Sequence, residues 1–319
     1  MKIVWEDHLG NNAVRYARKV LKECGFRHPP ICEKTIADYL GLEIKEFSVD
    51  DIPEDRGLRD ILKTACAWLK RKPNGDPCIW LYGDTRPERK RLGVFHECGH
   101  AILPWHEELD YFCSEKDLDP TVHKRIEREA FMCGAEFLMP REMFVEDIVS
   151  LETGISAIEQ FHTRYVASME ATAIHYAYTH PGLCGIVMVE KAENQKPEAI
   201  PRGDTSRGQL ILPFKTPPER IILKDDTRYP LSVIYFVRSH RFPKYIRPGT
   251  GIEEGNLIFE AWESWRPAQG EIPASVFGSS TKWVYNADCL PLGNTGKLLV
   301  LLWLPDRYLK FNFENGVIL

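Results

Sequence analysis

The order of apolar and polar positions divides the chain into a helix-rich first part and a strand-rich second part. In NAVRYARKVLKECGF, Val14, Ala17, Val20 and Leu21 recur at helical spacing and Gly25 supplies a stop. EKTIADYLG predicts a second, short helix ending at Gly41, and LEIKEF alternates as a strand does. TACAWLKR and CIWLY are strand-like runs on either side of the turn signal KPNGDP, and they predict a hairpin. Thr85 followed by Glu88 forms a capping box, with Pro87 suited to the first turn of a helix. That helix passes through His96 and His100 and stops before Pro104; residues 105–118 read as less ordered. Asp119-Pro120 then opens a helix that closes at Met139-Pro140.

Residues 142–180 continue as helix, and ISAIEQFHTRYVASMEATAIHYAYTH has the two-helices-and-a-turn outline of a helix-turn-helix. Ordinary helical packing explains the same outline. The second of these helices carries Glu170 and little positive charge, a poor start for phosphate contacts, so direct DNA binding is not expected. Past Pro181 the runs CGIVMVE, SVIYFVRS, NLIFEAWESW, KWVYNAD and KLLVLLWL all read as strands. The Pro-, Gly- and charge-rich stretch between the first two reads as a long connection holding one strand, and a domain boundary falls near residue 181.

Composition narrows the function classes. At 319 residues the chain can build more than one core. A net charge of -5 and a pI near 6.1 do not fit a strongly basic nucleic-acid binder. No apolar run is long enough for a bilayer, so no membrane partner is expected, and the start lacks a signal-peptide shape. Nine cysteines without C-x-x-C pairs read as free thiols in a reducing cytoplasm, and the expected localisation is cytoplasmic.

The chemistry lies in VFHECGHAIL, residues 94–103. Two histidines four apart share one helix face, so His96 and His100 can aim their rings at one ion. Glu97 is turned about 100° from His96, where it flanks the ion without binding it and can take a proton from water. Zinc in such a site brings the pKa of its water to about 7. A hydrolytic site needs a third protein ligand. In TVHKRIEREAFMCGAEFLMP, Glu127 falls on the stripe of Ala130, Phe131, Gly134 and Leu138, while Arg125, Arg128 and Glu136 fall outward. A carboxylate aimed at a core needs a cation, so Glu127 is the expected third ligand; Glu129 is the alternative, or supports the ligands from behind. An oxyanion-stabilising group, or another support behind the ligands, could come from His106, Tyr111 or His123. The CIWLY strand could align an extended substrate by edge pairing, or could be buried. Zinc is the expected ion, with manganese as the alternative for a two-His, one-carboxylate set.

RLGVFHECGHAIL followed by IEREAFMCGAEFLMP resembles the ImmA/IrrE metallopeptidases, whose pattern is H-E-x-G-H and then E-x-x-A-N-x-F-A-x-x-L-L-M-P. The resemblance runs over roughly residues 35–180, with Phe131 and Cys133 departing at the family's Asn and Phe. It implies His96, His100 and Glu127 as metal ligands and Glu97 as the catalytic glutamate. Beyond 181 the order of parts is similar to the radiation-response branch. That implies an α+β chain with a zincin-like metallopeptidase domain (1–141), a helix-turn-helix-like helical segment (142–181) and a β-rich GAF-like domain (182–319). The implied activity is cleavage of an Xre-type helix-turn-helix repressor, releasing stress or mobile-element genes. A small effector at the C-terminal domain is a further implied partner. Two other functions compete: a non-catalytic regulator that binds DNA or a protein on a peptidase scaffold, and a toxin or defence protease.

Overall fold

In the computed structural model, the described residues are 12–48, 66–72, 75–83, 85–106, 120–192 and 229–305. They fall into two units. Residues 12–144 and 162–168 belong to the first, and 145–161, 169–192 and 229–305 to the second.

In the first unit, helix α1 (Asn12–Glu23) buries Ala13, Val14, Ala17, Val20 and Leu21, and Gly25 follows at φ +73. Only glycine takes that left-handed turn without strain. Helix α2 (Glu33–Tyr39) leads into β1 (Glu43–Phe47). The hairpin expected from the sequence forms from β2 (Ala67–Lys72) and β3 (Gly75–Tyr82), paired Trp68 to Trp80. Strand β1 runs parallel to β3 on its other side, so the sheet order is β1-β3-β2. The CIWLY strand is therefore central, with both edges taken, and cannot accept a substrate strand. The edge is β2.

Helix α3 (Pro87–Ile102) crosses this sheet and packs against helix α4 (Pro120–Leu138). It begins at Pro87 as expected, but its N-cap is Arg86 with no side-chain cap, so the Thr85 capping box does not form. Proline alone suits the first turn, because its missing N–H has no intrahelical partner there in any case. Glu136, expected to face outward, is buried and paired to Arg18 of α1 at 2.8 Å. The guanidinium answers the carboxylate, which is what allows its burial.

Helix α5 (Arg141–Val149) and helix α6 (Ile155–Tyr165) each contribute to both units, and helix α7 (Met169–Thr179) belongs to the second. The second unit is built on a six-stranded antiparallel sheet, ordered β6-β5-β4-β9-β8-β7. Its strands are β4 (Leu183–Lys191), β5 (Leu231–Arg238), β6 (Gly251–Ile252), β7 (Ala268–Pro273), β8 (Val284–Pro291) and β9 (Lys297–Leu304). The two central strands are buried on both faces, as their unbroken apolar runs require. The side chain of Asp288 accepts from Ile155 N–H at 2.9 Å and so ties the start of α6 to β8.

NLIFEAWESW is not a strand. It forms helix α8 (Leu257–Ser264), capped by Asn256, whose side chain accepts from Ile258 and Phe259 N–H. Ile258 and Ala261, three apart, carry its buried face. The long connection after β4 lies outside the described residues, as do residues 107–119 and with them Tyr111. No helix among the described residues is long and apolar enough to cross a membrane.

Candidate metal centre

The site is made by the crossing of α3 and α4. A Cβ on Gly99 would come within 2.5 Å of Ala130 O, and one on Gly134 within 3.0 Å of His96 N. Two glycines therefore let the two backbones approach closely, and that approach brings Glu127 to the histidines.

His96 Nε2 and His100 Nε2 lie 3.2 Å apart. Glu127 offers one oxygen to each, 3.3 Å from His96 and 3.4 Å from His100. Ligand atoms at about 2.0–2.1 Å from a tetrahedral ion stand roughly 3.3–3.4 Å from one another. Each of these pairs thus stands at the spacing of two neighbouring corners of such a shell, with Glu127 using a different oxygen toward each histidine, and among the described residues the three side chains are the cluster able to hold a metal. Two imidazole nitrogens and one carboxylate suit zinc or manganese. The Glu127 side chain is 45% exposed, so the site opens toward solvent on that side.

Glu97 is buried, and its Oε2 accepts from the Leu69 N–H of edge strand β2 at 2.8 Å. Burial pushes its carboxyl above the usual range, against the pull of His96 and His100. Burial disfavours a charged His96, yet the hydrogen bond it donates to Glu127 and the charges of Glu97 and Glu127 outweigh it and raise its pKa. Glu127 is also opposed by burial, but hydrogen bonds to His100 and His96 hold it well below the carboxylate range. Glu127 and the imidazoles thus hold one another charged while burial opposes Glu97, and a divalent cation would answer the two carboxylates in place of the imidazole protons.

Glu129 faces the other way, around the back of His100. Its Oε2 accepts from Trp105 Nε1 at 2.6 Å and lies 3.2 Å from His106 Nε2, while Oε1 accepts from Arg125 Nε at 2.9 Å. His106 Nδ1 in turn lies 3.1 Å from His100 Nδ1. Burial pushes the His106 pKa down to about 4, with the His100 charge adding to the effect. For Glu129 burial is outweighed by the Trp105, Arg125 and His106 hydrogen bonds, which lower its pKa.

The structure therefore brings together His96, Glu97, His100 and Glu127. It sets Glu129 and His106 behind them. His106 is 2% exposed and sits against the far nitrogen of His100, so it is not placed to meet a substrate carbonyl. The side chain of His123 lies outside the described residues. Sequence reasoning missed Leu69 and Trp105. Arg125 is exposed, as expected, but its pairing with Glu129 was missed although their spacing of four was a legible signal.

Residues 38–175 match the family model of the IrrE N-terminal-like domain, Peptidase_M78, a stretch that contains all of these groups. This part of the chain is an IrrE N-terminal-like domain. A solved Mycobacterium tuberculosis transcriptional regulator superposes with a TM-score of 0.52 at 13% identity, covering 97% of this chain and 94% of that one. At that identity the likeness is one of fold. No curated protein matches the chain. The IrrE-like domain carries a peptidase family's pattern on a mixed α and β scaffold, with a His-His-Glu cluster at its centre.

Proposed function

We propose that this chain is a zinc-dependent endopeptidase that cleaves an Xre-type helix-turn-helix repressor and so releases stress or mobile-element genes. The observation that carries the reading is the triangle of His96, His100 and Glu127 with Glu97 held beside it by the edge strand. A bound zinc would supply Lewis acidity, polarising the peptide carbonyl and acidifying water. His96 Nε2, His100 Nε2 and a Glu127 oxygen would hold it. Glu97 Oε2 is engaged by Leu69 N–H, which orients the carboxylate and leaves Oε1 to take a proton from water. The raised pKa of Glu97 favours keeping that proton until it passes to the leaving amine nitrogen. An extended substrate would lie along β2, whose outer edge has no partner strand among the described residues.

For the second unit we keep the GAF-like, effector-binding reading. Its support is a single antiparallel sheet with β4 and β9 at the centre. The helices α6 and α7 we read as packing elements rather than a DNA-binding pair. What supports this is that Glu170 accepts from Tyr235 O–H at 3.0 Å and pairs with Lys297 at 3.6 Å, which ties the start of α7 to the sheet.

The test uses purified chain with an Xre-type repressor. Elemental analysis is expected to give one zinc or manganese per chain, lost in Glu127→Ala. Glu97→Gln is expected to keep the metal and lower cleavage by at least about a hundredfold, the low end for losing a general base. Absence of metal after reconstitution would sink the peptidase reading and leave a binding scaffold. Metal-bound wild type that cleaves no repressor would move the substrate class and favour a defence target.

A further inference from the structure

We propose that His106, backed by Glu129, is a positioning group that fixes the tautomer and ring orientation of His100, so that His100 Nε2 presents a lone pair to the metal. This rests on the metal-site reading above. The hydrogen-bond directions follow from chemistry. The Glu129 carboxylate takes N–H bonds from Trp105 at 2.6 Å and Arg125 at 2.9 Å, and as a carboxylate it can only accept. His106 Nε2, 3.2 Å from the same carboxylate, must therefore be its donor. A neutral imidazole has one N–H, so His106 Nδ1 is left as an acceptor. The atom facing it, 3.1 Å away, is His100 Nδ1, which must then donate. That puts the proton of His100 on Nδ1 and the lone pair on Nε2, the nitrogen that faces His96 and Glu127.

The relay is dry. His106 and Glu129 are 2% and 8% exposed, so little solvent competes for these bonds. It also joins three pieces of chain: α3 through His100, the turn after it through Trp105 and His106, and α4 through Arg125 and Glu129. Since α4 also carries Glu127, one helix supplies a ligand to the front of His100 and its support from behind. His96 has no such arrangement among the described residues: its Nδ1 is buried without a hydrogen-bond partner. His100 is thus the better-held of the two imidazoles.

Zinc affinity of the full chain, measured by competition with a chromophoric chelator, tests this on wild type, His106→Leu and His106→Asn. Leucine removes the acceptor, and affinity is expected to fall by about 10–100-fold, the usual loss when such support is removed. Asparagine puts its side-chain oxygen about where Nδ1 stands and is expected to recover affinity to within about threefold of wild type, recovery that packing alone does not provide. Equal affinity in wild type and His106→Leu, or equal loss in both variants, would overturn the relay while leaving the metal site intact. Wild type that binds no zinc would instead overturn the metal reading and the relay with it. If the leucine variant does not fold, nitrogen-15 NMR of histidine-labelled, zinc-loaded wild type decides. His106 is expected to carry its proton on Nε2, and a proton on Nδ1 overturns the proposal.

Discussion

Glu127 and Glu129 are two positions apart on one helix, and their surroundings give them opposite work. Glu127 meets two imidazoles and solvent, whereas Glu129 is closed in by Trp105, Arg125 and His106. The burial of His106 has a consequence in the metal-free chain. Its folded pKa of about 4 lies below the ordinary histidine value, so the folded state gains from a neutral ring. That stability is present above about pH 6.5 and is lost as pH falls through about 4. The unfolding midpoint in urea is therefore expected to drop more steeply over this window in wild type than in His106→Asn; parallel pH curves would show that His106 is not held neutral. The cysteines follow the same logic of environment. Cys32 is exposed, and its thiol is lowered by the hydrogen bond to Thr35, while burial pushes Cys98 and Cys184 up. Among the described cysteines, Cys32 is expected to alkylate first with iodoacetamide, with Cys98 unmodified until unfolding, as read by peptide mass spectrometry. The front of the site was legible at this scale. A spacing of four marks His96 and His100, and a carboxylate on an apolar stripe marks Glu127. The back was legible only as candidates, Glu129 and His106 among them, because His106 reaches Glu129 only after the chain leaves α3 and returns in α4, and no local period records that pairing.

Between elements, the site depends on how closely α3 and α4 approach, and two glycines control that distance. Alanine at 99 would put a methyl 2.5 Å from Ala130 O, a backbone atom that cannot swing away. Gly99→Ala is therefore expected to destabilise the chain by about 1–3 kcal/mol, the usual cost of overpacking. Because the helices must separate to accept the methyl, it is also expected to weaken metal binding by at least about tenfold. Chemical denaturation and chelator competition read the two effects. An unchanged affinity would mean that Glu127 reaches the histidines without the close crossing. The glycine inside HECGH thus has a steric role that the motif's chemistry does not disclose. Helices and strands with a clean period were legible in the sequence, α1 and the β2–β3 hairpin among them. NLIFEAWESW was not, because its apolar residues are nearly continuous and periodicity cannot separate a short buried helix from a strand. The deciding signal was Asn256, the first residue of the run, which caps the helix that follows it. Strand β7 was missed for the opposite reason: AQGEIP is mostly exposed and has only Ile272 fully buried.

Across the whole chain, the metal site and the six-stranded sheet belong to different units, each with its own buried core. A ligand that binds only the folded state stabilises whichever unit carries its site. At about a thousandfold excess over the dissociation constant this is about 4 kcal/mol. For a unit of roughly 150 residues, that corresponds to a rise of about 8–16 °C in melting temperature. Calorimetry of the full chain is therefore expected to resolve two transitions, of which zinc moves one by about that amount while the other stays in place. In Glu127→Ala neither should move. A single transition that rises as a whole with zinc would mean that the second unit unfolds only together with the first. A small effector bound by the sheet would then have a direct thermodynamic route to the metal site. Two independent transitions remove that route, so an effector that altered cleavage would have to act on access to the β2 edge rather than on the stability of the ligands. The two outcomes thus separate two kinds of control over the same active residues, and the calorimeter distinguishes them before any inducing signal is known.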